Sequence, residues 1–191
     1  LDVDVVAGTG GRVAFLDAVE AAVSEKRRSF AVDDALRRRT FEVLPAGGMA
    51  ERTRAMLKVQ DGCSNFCTYC IIPYARGPVR SLPLEEAVAQ AREVAQAGYR
   101  EMVVTGIEIS SWGRDLPEKP PLWKLLSAIC ESAPAVRVRL GSLEPRTVDE
   151  DFCQALAGFS NLCPQFHLSL QSGSDTVLKR MHRRYDLSLI H

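Results

Sequence analysis

The sequence predicts an α/β fold in which most of the chain forms the first part of a parallel (β/α) barrel. From residue 55 onward, β-prone segments alternate with helical segments, which is typical of parallel sheets with right-handed crossovers. Polar clusters also follow each predicted strand, as they do at the carboxyl ends of barrel strands. A complete barrel takes about 250 residues. We therefore expect this 191-residue chain to hold four barrel units and to be a fragment.

The N-terminal part of the sequence predicts a smaller α/β unit. Residues 2–6 alternate in polarity and predict a strand, and residues 12–24 predict a helix. The apolar stripe of this helix consists of Val13, Leu16, Val19 and Val23. Residues 25–39 are charged and predict loose structure, whereas residues 40–44 predict a second strand. We expect one βα unit followed by a connecting segment.

A stretch with one proline and two glycines at residues 45–54 predicts a domain boundary. We assign residues 1–48 to the C-terminal part of an N-terminal domain and residues 49–191 to the truncated barrel. The predicted barrel strands are residues 55–60, 101–106, 136–142 and 165–173. The predicted helices are residues 84–97, 122–132, 147–159 and 174–181.

The ends of these helices carry recognised local signals. Pro83 precedes the first barrel helix and Gly98 follows it, which is the usual asymmetry of helix termini. Acidic residues lie in the first turn of the third helix, where they suit the helix dipole. Ser174 is placed as the N-cap of the fourth.

Composition excludes several classes of protein. The chain has 24 basic and 24 acidic residues, so its net charge does not indicate a nucleic-acid binder. Residues 25–54 are locally basic, and they predict either a solvated surface or an RNA contact. The N-terminus lacks a signal-peptide pattern, and no apolar run approaches the roughly 20 residues of a membrane span. We expect a cytoplasmic protein with reduced thiols.

Three of the six cysteines lie within eight residues, as Cys63, Cys67 and Cys70, with the spacing Cys-x3-Cys-x2-Cys. A structural zinc site usually draws on two Cys-x2-Cys pairs or on one pair with two histidines, and only one such pair is present. Buried structural cysteines are a second interpretation, although the loop is polar. The spacing favours a third, an iron–sulfur cluster with three protein ligands and one open iron.

The same loop, with Tyr69 before the last cysteine, resembles the motif of the radical S-adenosylmethionine superfamily. The similarity extends to its methylthiotransferase family over four segments, at residues 59–81, 98–116, 136–145 and 167–185. Within that family, "TGIEISSWG" is similar to the branch that acts on N6-threonylcarbamoyladenosine at position 37 of tRNA. The sequence differs from that branch at Glu108, where His is common, and at Trp112, where Tyr is common.

The resemblance implies a mechanism and its cofactors. Cys63, Cys67 and Cys70 would hold a [4Fe-4S] cluster, whose open iron binds S-adenosylmethionine. Reductive cleavage would give a 5′-deoxyadenosyl radical that removes hydrogen from carbon 2 of the adenine, where a methylthio group is installed. The implied partners are tRNA, S-adenosylmethionine and an electron donor, with no membrane. A second [4Fe-4S] cluster is expected only in the full-length protein, so we expect this chain alone to be incomplete as an enzyme.

The resemblance and the strand ends together nominate further site residues. The cofactor-binding candidates are Tyr69, Gly106, Glu108, Ser142, Glu144 and Gln171. Strand-end turns and capping explain the same residue types without a ligand. Arg76 and Arg80 are candidates for phosphate or for the cofactor carboxylate, since the planar guanidinium suits both. We expect His167 to be a packed residue of the fourth strand, and no catalytic residue is nominated beyond the cluster ligands.

Three other functions remain open at this level. The substrate of a methylthiotransferase with this sequence could be isopentenyladenosine in tRNA or an aspartate of a ribosomal protein. The chain could also be a metal-binding interaction module without radical chemistry.

Overall fold

A computed structural model describes residues 3–47 and 53–189 of the chain. Two sheets are present in these residues, one of two strands and one of four. The domain boundary proposed within residues 45–54 falls largely on 48–52, which lie outside the described residues.

The N-terminal unit consists of β1 (Val5–Ala7), α1 (Arg12–Glu25) and β2 (Ser29–Ala31). The two strands pair in parallel, with Val5 opposite Ser29. The expectation of loose structure at residues 25–39 is therefore wrong, since β2 and a single 3-10 turn (Ala35–Arg37) lie there. The helix is confirmed, yet its apolar stripe is largely exposed, and none of its residues is buried against the described part of the chain.

The strand predicted at residues 40–44 is absent from the described structure. Phe41 packs against the core of the barrel unit, and its ring centroid lies 5.5 Å from Lys58 Nζ. The Glu42 carboxylate accepts hydrogen bonds from Arg12, at 2.7 Å from its backbone nitrogen. The alternation in this segment thus serves side-chain packing and not a strand ladder.

The four-stranded sheet has the order β4-β3-β5-β6. Its strands are β3 (Arg54–Asp61), β4 (Arg80–Ser81), β5 (Glu101–Gly106) and β6 (Arg137–Leu140). β3, β5 and β6 run parallel, whereas the short β4 is antiparallel to β3 and was not predicted. Because β3, β5 and β6 are parallel, their carboxyl ends meet at one edge. The predicted α/β partial-barrel fold is confirmed.

Helices cover one face of this sheet. α3 (Leu84–Gln96) and α4 (Leu122–Ser132) match their predicted ranges to within one residue. Gly98 follows α3 with φ 82°, as expected of a residue just past a helix end. The alternating residues Ala55, Leu57 and Val59 of β3 are fully buried beneath the helices. A continuous apolar core therefore fixes the sheet from which the loops at its carboxyl edge extend.

The remaining helices are shorter than predicted. α2 (Ile72–Arg76) follows the cysteine loop and was not predicted. α5 (Glu150–Leu156) begins three residues later than expected, because Asp149 caps it by accepting a hydrogen bond from the Phe152 backbone. α6 (Asp175–Arg180) starts after Ser174 as expected, although the Ser174 side chain makes no capping bond. None of the helices in residues 3–47 and 53–189 is both long and apolar enough to span a membrane.

The fourth barrel strand, predicted at residues 165–173, is wrong as a regular strand. The segment touches the sheet only through two isolated parallel bridges, Leu162 opposite Val138 and Leu168 opposite Leu143. Five residue steps separate the partners on the β6 side and six separate those on the other, so one extra residue interrupts the register. Pro164, which has no backbone N–H to donate, lies between the two bridges.

Candidate metal and cofactor site

The cysteine loop begins where β3 ends, and its first turn requires glycine. Gly62 has φ 72°, and a Cβ there would come within 1.9 Å of the Pro78 carbonyl oxygen. The loop then closes against the chain that follows α2, since the Cys63 backbone donates to the Gly77 carbonyl at 3.0 Å. A tight turn brings the Cys70 backbone to the Cys67 carbonyl at 2.9 Å. Local backbone bonds thus fix all three cysteines.

The opposite side of the loop is tied to the end of α6. The Thr68 hydroxyl donates to the Arg180 carbonyl at 3.0 Å, and its backbone donates to the Met181 carbonyl at 3.3 Å. These contacts join residues more than 100 positions apart. The loop is therefore held between the first and the last barrel unit of the chain.

A cavity of about 250 Å³ lies beside the loop at the carboxyl edge of the sheet. The cysteines and nominated residues that line it are Cys63, Cys67, Cys70, Tyr69, Glu108, Ser142, Glu144 and Gln171. They come from the ends of β3, β5 and β6 and from the segment after Leu168. The structure thus brings together all three cysteines and five of the six cofactor-binding candidates, whereas Gly106, Arg76 and Arg80 do not line the cavity.

The three thiols are free and differ in exposure. Cys63 is buried, and Cys67 and Cys70 are half-buried. Burial raises the pKa of the Cys63 thiol, and a coordinated metal would offset this by favouring the thiolate. In the described part of the chain, no three His, Cys, Asp or Glu side chains are grouped around a single ion position. A four-iron cluster needs no such convergence, because its thiolates bind separate irons, so the donor set and the cavity fit that group.

Glu108 is the most unusual carboxylate of the cavity. One of its oxygens, Oε2, accepts a short hydrogen bond from the Ser111 hydroxyl. The other, Oε1, is buried and has no hydrogen-bond partner in the structure. A buried acceptor without a partner costs about 1–3 kcal/mol, and more when it is charged. A donor from a bound molecule would remove this cost, and contact of Glu108 with a cofactor stays a prediction.

Gly106 does not line the cavity but packs against Gln60, which supports it. A Cβ at this position would lie 2.7 Å from Gln60 Oε1 and 2.8 Å from Gln60 Cβ. Gln60 in turn accepts from the Glu108 backbone at 2.8 Å and donates to the Asp61 and Gly62 carbonyls at 2.8 and 2.7 Å. Gly106 thus leaves room for the side chain that links β5 to the cysteine loop. Direct contact of Gly106 with a cofactor stays a prediction.

Ser142, Glu144 and Gln171 lie on the far wall of the cavity. Ser142 Oγ is 2.8 Å from His167 Nδ1, and His167 is exposed, so its expected burial in a strand is wrong. Gln171 has φ 66°, a conformation that side-chain-bearing residues adopt rarely. Glu144 is buried, with Oε2 2.9 Å from Arg146 Nη2. Tyr69, on the near wall, is exposed.

Arg76 and Arg80 turn toward the base of the loop. Arg80 is buried, lies 3.5 Å from Asp61 Oδ2, and donates to the Arg76 and Pro78 carbonyls at 3.0 and 2.8 Å. Arg76 Nη1 lies 4.0 Å from Asp61 Oδ1. Asp61 also accepts from Lys58 Nζ at 2.6 Å. Both arginines therefore serve an internal charge network, and their contact with a phosphate or a carboxylate stays a prediction.

Arg183 lines the cavity and was not nominated from the sequence. Its Nη1 lies 3.3 Å from Cys67 Sγ, its Nη2 lies 3.7 Å from Glu144 Oε1, and its Nε lies 3.3 Å from the Tyr185 hydroxyl. Arg184 beside it is exposed. Neither spacing nor composition separates these two arginines in the sequence, so only the fold reveals that Arg183 faces a cysteine.

Comparison with known proteins agrees with this geometry. Residues 57–190 match the family model of the radical SAM superfamily. The chain is 38% identical over 186 residues to the threonylcarbamoyladenosine tRNA methylthiotransferase MtaB of Bacillus subtilis, covering 97% of this chain and 41% of that protein. It is 33% identical over 184 residues to the tRNA-2-methylthio-N(6)-dimethylallyladenosine synthase of Clostridium tetani, covering 96% of this chain and 40% of the relative. The chain thus spans about two-fifths of the length of these relatives.

Solved structures support the fold alone. The radical S-adenosylmethionine methyltransferase TsrM of Kitasatospora setae, bound to cobalamin and a [4Fe-4S] cluster, aligns with a TM-score of 0.55 and 18% identity, over 71% of this chain and 27% of its own. The cobalamin-dependent radical enzyme OxsB aligns with a TM-score of 0.53 and 17% identity, over 71% of this chain and 21% of its own. With a family match over residues 57–190 and three cysteines beside one cavity at the sheet edge, the chain belongs to the radical SAM superfamily.

Proposed function

We propose that the chain is the cofactor-binding part of a tRNA methylthiotransferase that acts on N6-threonylcarbamoyladenosine at position 37. One observation carries the proposal: the three cysteines of the Cys-x3-Cys-x2-Cys loop line a single cavity with polar residues from three other chain segments. The alignment with a protein named for this activity covers 97% of the chain at 38% identity, and that name supplies the substrate class. The whole activity belongs to a protein longer than this chain.

In this proposal, Cys63, Cys67 and Cys70 hold a [4Fe-4S] cluster and S-adenosylmethionine binds beside it. When bound, the two supply reductive cleavage of a sulfonium and hence radical chemistry at carbon 2 of the adenine. The reduced thiols of the site suit a cytoplasmic location and an electron donor there.

Glu108 and the far wall provide the contacts to the amino acid and sugar parts. The unpartnered Glu108 Oε1 would accept from the amino group of S-adenosylmethionine, which would offset the cost of its burial. Ser142 and Gln171, both exposed on the cavity wall, offer hydroxyl and amide groups to the ribose. Tyr69 flanks the adenine at the rim of the loop.

A basic surface beside the cysteine loop, which we call the rim and which consists of Lys179, Arg180 and Arg184, supports an RNA substrate better than residues 25–54 do. Arg28, Arg37, Arg38 and Arg54 of that basic stretch form ion pairs within the chain. In contrast, Lys179, Arg180 and Arg184 are exposed and form no ion pair among the described residues. They adjoin the cysteine loop through its bonds to the end of α6.

Exposed aromatic side chains lie on the cysteine loop and on α2, which follows it. Phe66 and Tyr74 are about half exposed and meet edge to face, with ring centroids 5.7 Å apart. Aromatic faces beside a basic surface are the usual means of gripping unpaired bases and their phosphates. We therefore assign the loop and residues 179–184 to the anticodon-loop contact.

Anaerobic reconstitution with iron and sulfide tests the first part of the proposal. We expect about four irons per chain, an EPR signal on reduction, and loss of both in Cys63→Ala, Cys67→Ala and Cys70→Ala. Cys153→Ala is the matched control, because Cys153 is an exposed free cysteine outside the cavity. A chain that binds one zinc and no iron would contradict the proposal and favour a metal-binding module.

A second candidate substrate is dimethylallyladenosine in tRNA, because relatives named as its methylthio synthases are 33–39% identical to the chain. Mass spectrometry of tRNA nucleosides and ribosomal peptides, from cells with and without the full-length gene, separates the substrates. Loss of 2-methylthio-N6-threonylcarbamoyladenosine supports the proposal. Loss of the dimethylallyl product, or of a methylthiolated aspartate, assigns the protein to another branch.

A further inference from the structure

Arg183 is a buried cation that meets a cysteine sulfur. Its side chain is 8% exposed. Nη1 lies 3.3 Å from Cys67 Sγ, in the direction of a donated hydrogen bond. Arginine is always charged in proteins, so the guanidinium carries a positive charge here. A permanent positive charge therefore sits beside one of the three cluster-loop sulfurs.

The guanidinium is fixed on every side. The Tyr185 hydroxyl oxygen accepts a hydrogen bond from Arg183 Nε at 3.3 Å. The Tyr185 ring centroid lies 5.1 Å from the guanidinium carbon. The single O–H of Tyr185 is shared between the Ser169 and Leu170 carbonyls, which lie 2.9 and 2.8 Å from its oxygen. The orientation of Arg183 is thus set by the segment that carries the far wall of the cavity.

Glu144 holds the third nitrogen. Its Oε1 lies 3.7 Å from Arg183 Nη2, and its Oε2 is 2.9 Å from Arg146 Nη2. Each of the three Arg183 nitrogens therefore has a partner within the chain. An arginine that clamps a ligand carboxylate uses two parallel N–H groups, whereas here Nη1 donates to Cys67 Sγ and Nη2 faces Glu144.

We propose that Arg183 is a positioning residue that tunes the reduction potential of the cluster through Cys67. The inference rests on the proposed function, because it needs a cluster on the three cysteines. Reduction makes a cluster more negative, so a fixed cation and an N–H···S bond stabilise the reduced form more than the oxidised form. Hydrogen bonds to the sulfurs and nearby charge are known determinants of iron–sulfur potentials. Glu144 opposes this effect by partly neutralising the cation.

The test is an EPR-monitored redox titration of the chain reconstituted anaerobically with iron and sulfide. We expect Arg183→Gln to make reduction about tenfold less favourable, which is a shift of about 59 mV to more negative potential for one electron. Arg183→Lys keeps the charge but not the fork, and we expect a smaller negative shift. Glu144→Gln should shift the potential in the positive direction. Arg92→Gln, at an exposed position on α3 outside the cavity, should leave it unchanged.

Iron and sulfide content and the dissociation constant for S-adenosylmethionine are measured on each variant. An unchanged potential in Arg183→Gln with tenfold weaker cofactor binding overturns the inference and assigns Arg183 to the ligand carboxylate. Equal shifts in Arg183→Gln and Arg92→Gln overturn it as a surface-charge effect. If Arg183→Gln fails to hold a cluster, the Arg183→Lys shift decides, and a positive or absent shift overturns it. A wild-type chain that assembles no cluster overturns the proposed function as well.

Discussion

The cysteine loop is supported on two sides, and both use buried charges. The strand side consists of Lys58, Asp61, Gly62 and Arg80, and the cavity side consists of Glu108, Glu144 and Arg183. On the strand side, Asp61 is paired with Lys58 at 2.6 Å and with Arg80 at 3.5 Å. On the cavity side, Glu108 Oε1 has no hydrogen-bond partner among the described residues, and Arg183 Nη1 donates toward Cys67 Sγ.

The difference teaches how to separate charges that build the fold from charges that serve a ligand. A network of charges that are paired with one another stabilises the loop and needs no hydrogen bond from a cofactor. A buried carboxylate oxygen without a donor is costly unless a ligand supplies one. Variants on the strand side should therefore change stability first, and variants on the cavity side should change ligand binding or potential first.

The largest effect should come from Asp61→Asn. Removing the carboxylate leaves the buried Arg80 guanidinium without its counter-charge, and breaking a buried pair in this way costs about 3–5 kcal/mol. We expect the free energy of unfolding, measured by urea denaturation, to fall by that amount. Asp151→Asn is the control, because Asp151 is exposed and forms no ion pair among the described residues. A loss below 1 kcal/mol would show that the strand-side charges contribute little to the free energy of unfolding.

Asp61 also predicts a pH dependence. Burial raises its pKa, but the Lys58 and Gly62 hydrogen bonds outweigh this and leave the pKa below its ordinary value of 3.8. The stability that Asp61 contributes is then present above pH 3.8 and is lost as the pH falls through the folded-state pKa. Urea denaturation between pH 7 and pH 3 should show this acid-side loss in the wild type and a smaller loss in Asp61→Asn.

The next effect should come from Gly62→Ala, which tests the backbone of the strand side. An alanine at this position would have to adopt a positive φ of 72°. Its Cβ would also lie 1.9 Å from the Pro78 carbonyl oxygen. A positive φ alone costs about 1–2 kcal/mol for a residue with a Cβ. We expect a larger loss of unfolding free energy, with a reduced iron content after reconstitution.

Two glycines serve as controls for this prediction. Gly98→Ala carries the positive φ of 82° without any atom within 4 Å, so it should show the conformational cost alone. Gly158→Ala has neither feature and should be nearly neutral. Equal losses in Gly62→Ala and Gly98→Ala would show that the close approach to Pro78 does not matter.

The barrel unit shows how far local sequence signals reach. β3, α3, β5 and α4 were predicted to within one residue per end, because their buried faces and terminal Pro and Gly residues are encoded locally. The segments at 40–44 and 165–173 failed, because a strand also needs a ladder partner and register. In the N-terminal unit the helix was predicted, whereas β2 was missed because it exists through its pairing with β1.

The candidate site divides in the same way. Cys63, Cys67, Cys70, Glu108 and Gln171 could be nominated because each lies in a motif or just after a predicted strand. Arg183 could not, because its cysteine partner is 116 positions away in the chain. Arg80 looked in the sequence like an exposed ligand contact, and only the fold shows that it is buried against Asp61.

On the cavity side, Glu108→Gln should weaken S-adenosylmethionine binding with little change in stability. The amide keeps an acceptor but loses the carboxylate charge that strengthens a hydrogen bond from the amino group, and hydrogen bonds to charged groups contribute about 1.5–3 kcal/mol. We expect the dissociation constant, measured by equilibrium dialysis on the reconstituted chain, to rise about tenfold. Glu118→Gln, at an exposed position outside the cavity, should not change it. Unchanged affinity in Glu108→Gln would show that Glu108 Oε1 does not bind S-adenosylmethionine.

The smallest effect should come from the rim, where Lys179, Arg180 and Arg184 are changed to Gln together. Exposed cations contribute little to stability, so the free energy of unfolding should stay within about 0.5 kcal/mol. Each cation that neutralises a phosphate of unpaired RNA adds about 0.7 to the slope of log affinity against log salt. We expect the triple variant to lower that slope by about 2 for an anticodon stem-loop, measured by fluorescence anisotropy.

Arg92→Gln, on the exposed part of α3, is the control for this measurement. Its slope should match that of the wild type, because α3 packs against the sheet face and not beside the cysteine loop. A triple variant with the wild-type slope would remove the rim from the RNA contact. It would leave the cavity side with its cofactor role alone, because the Glu108 and Arg183 predictions do not depend on how the RNA is held.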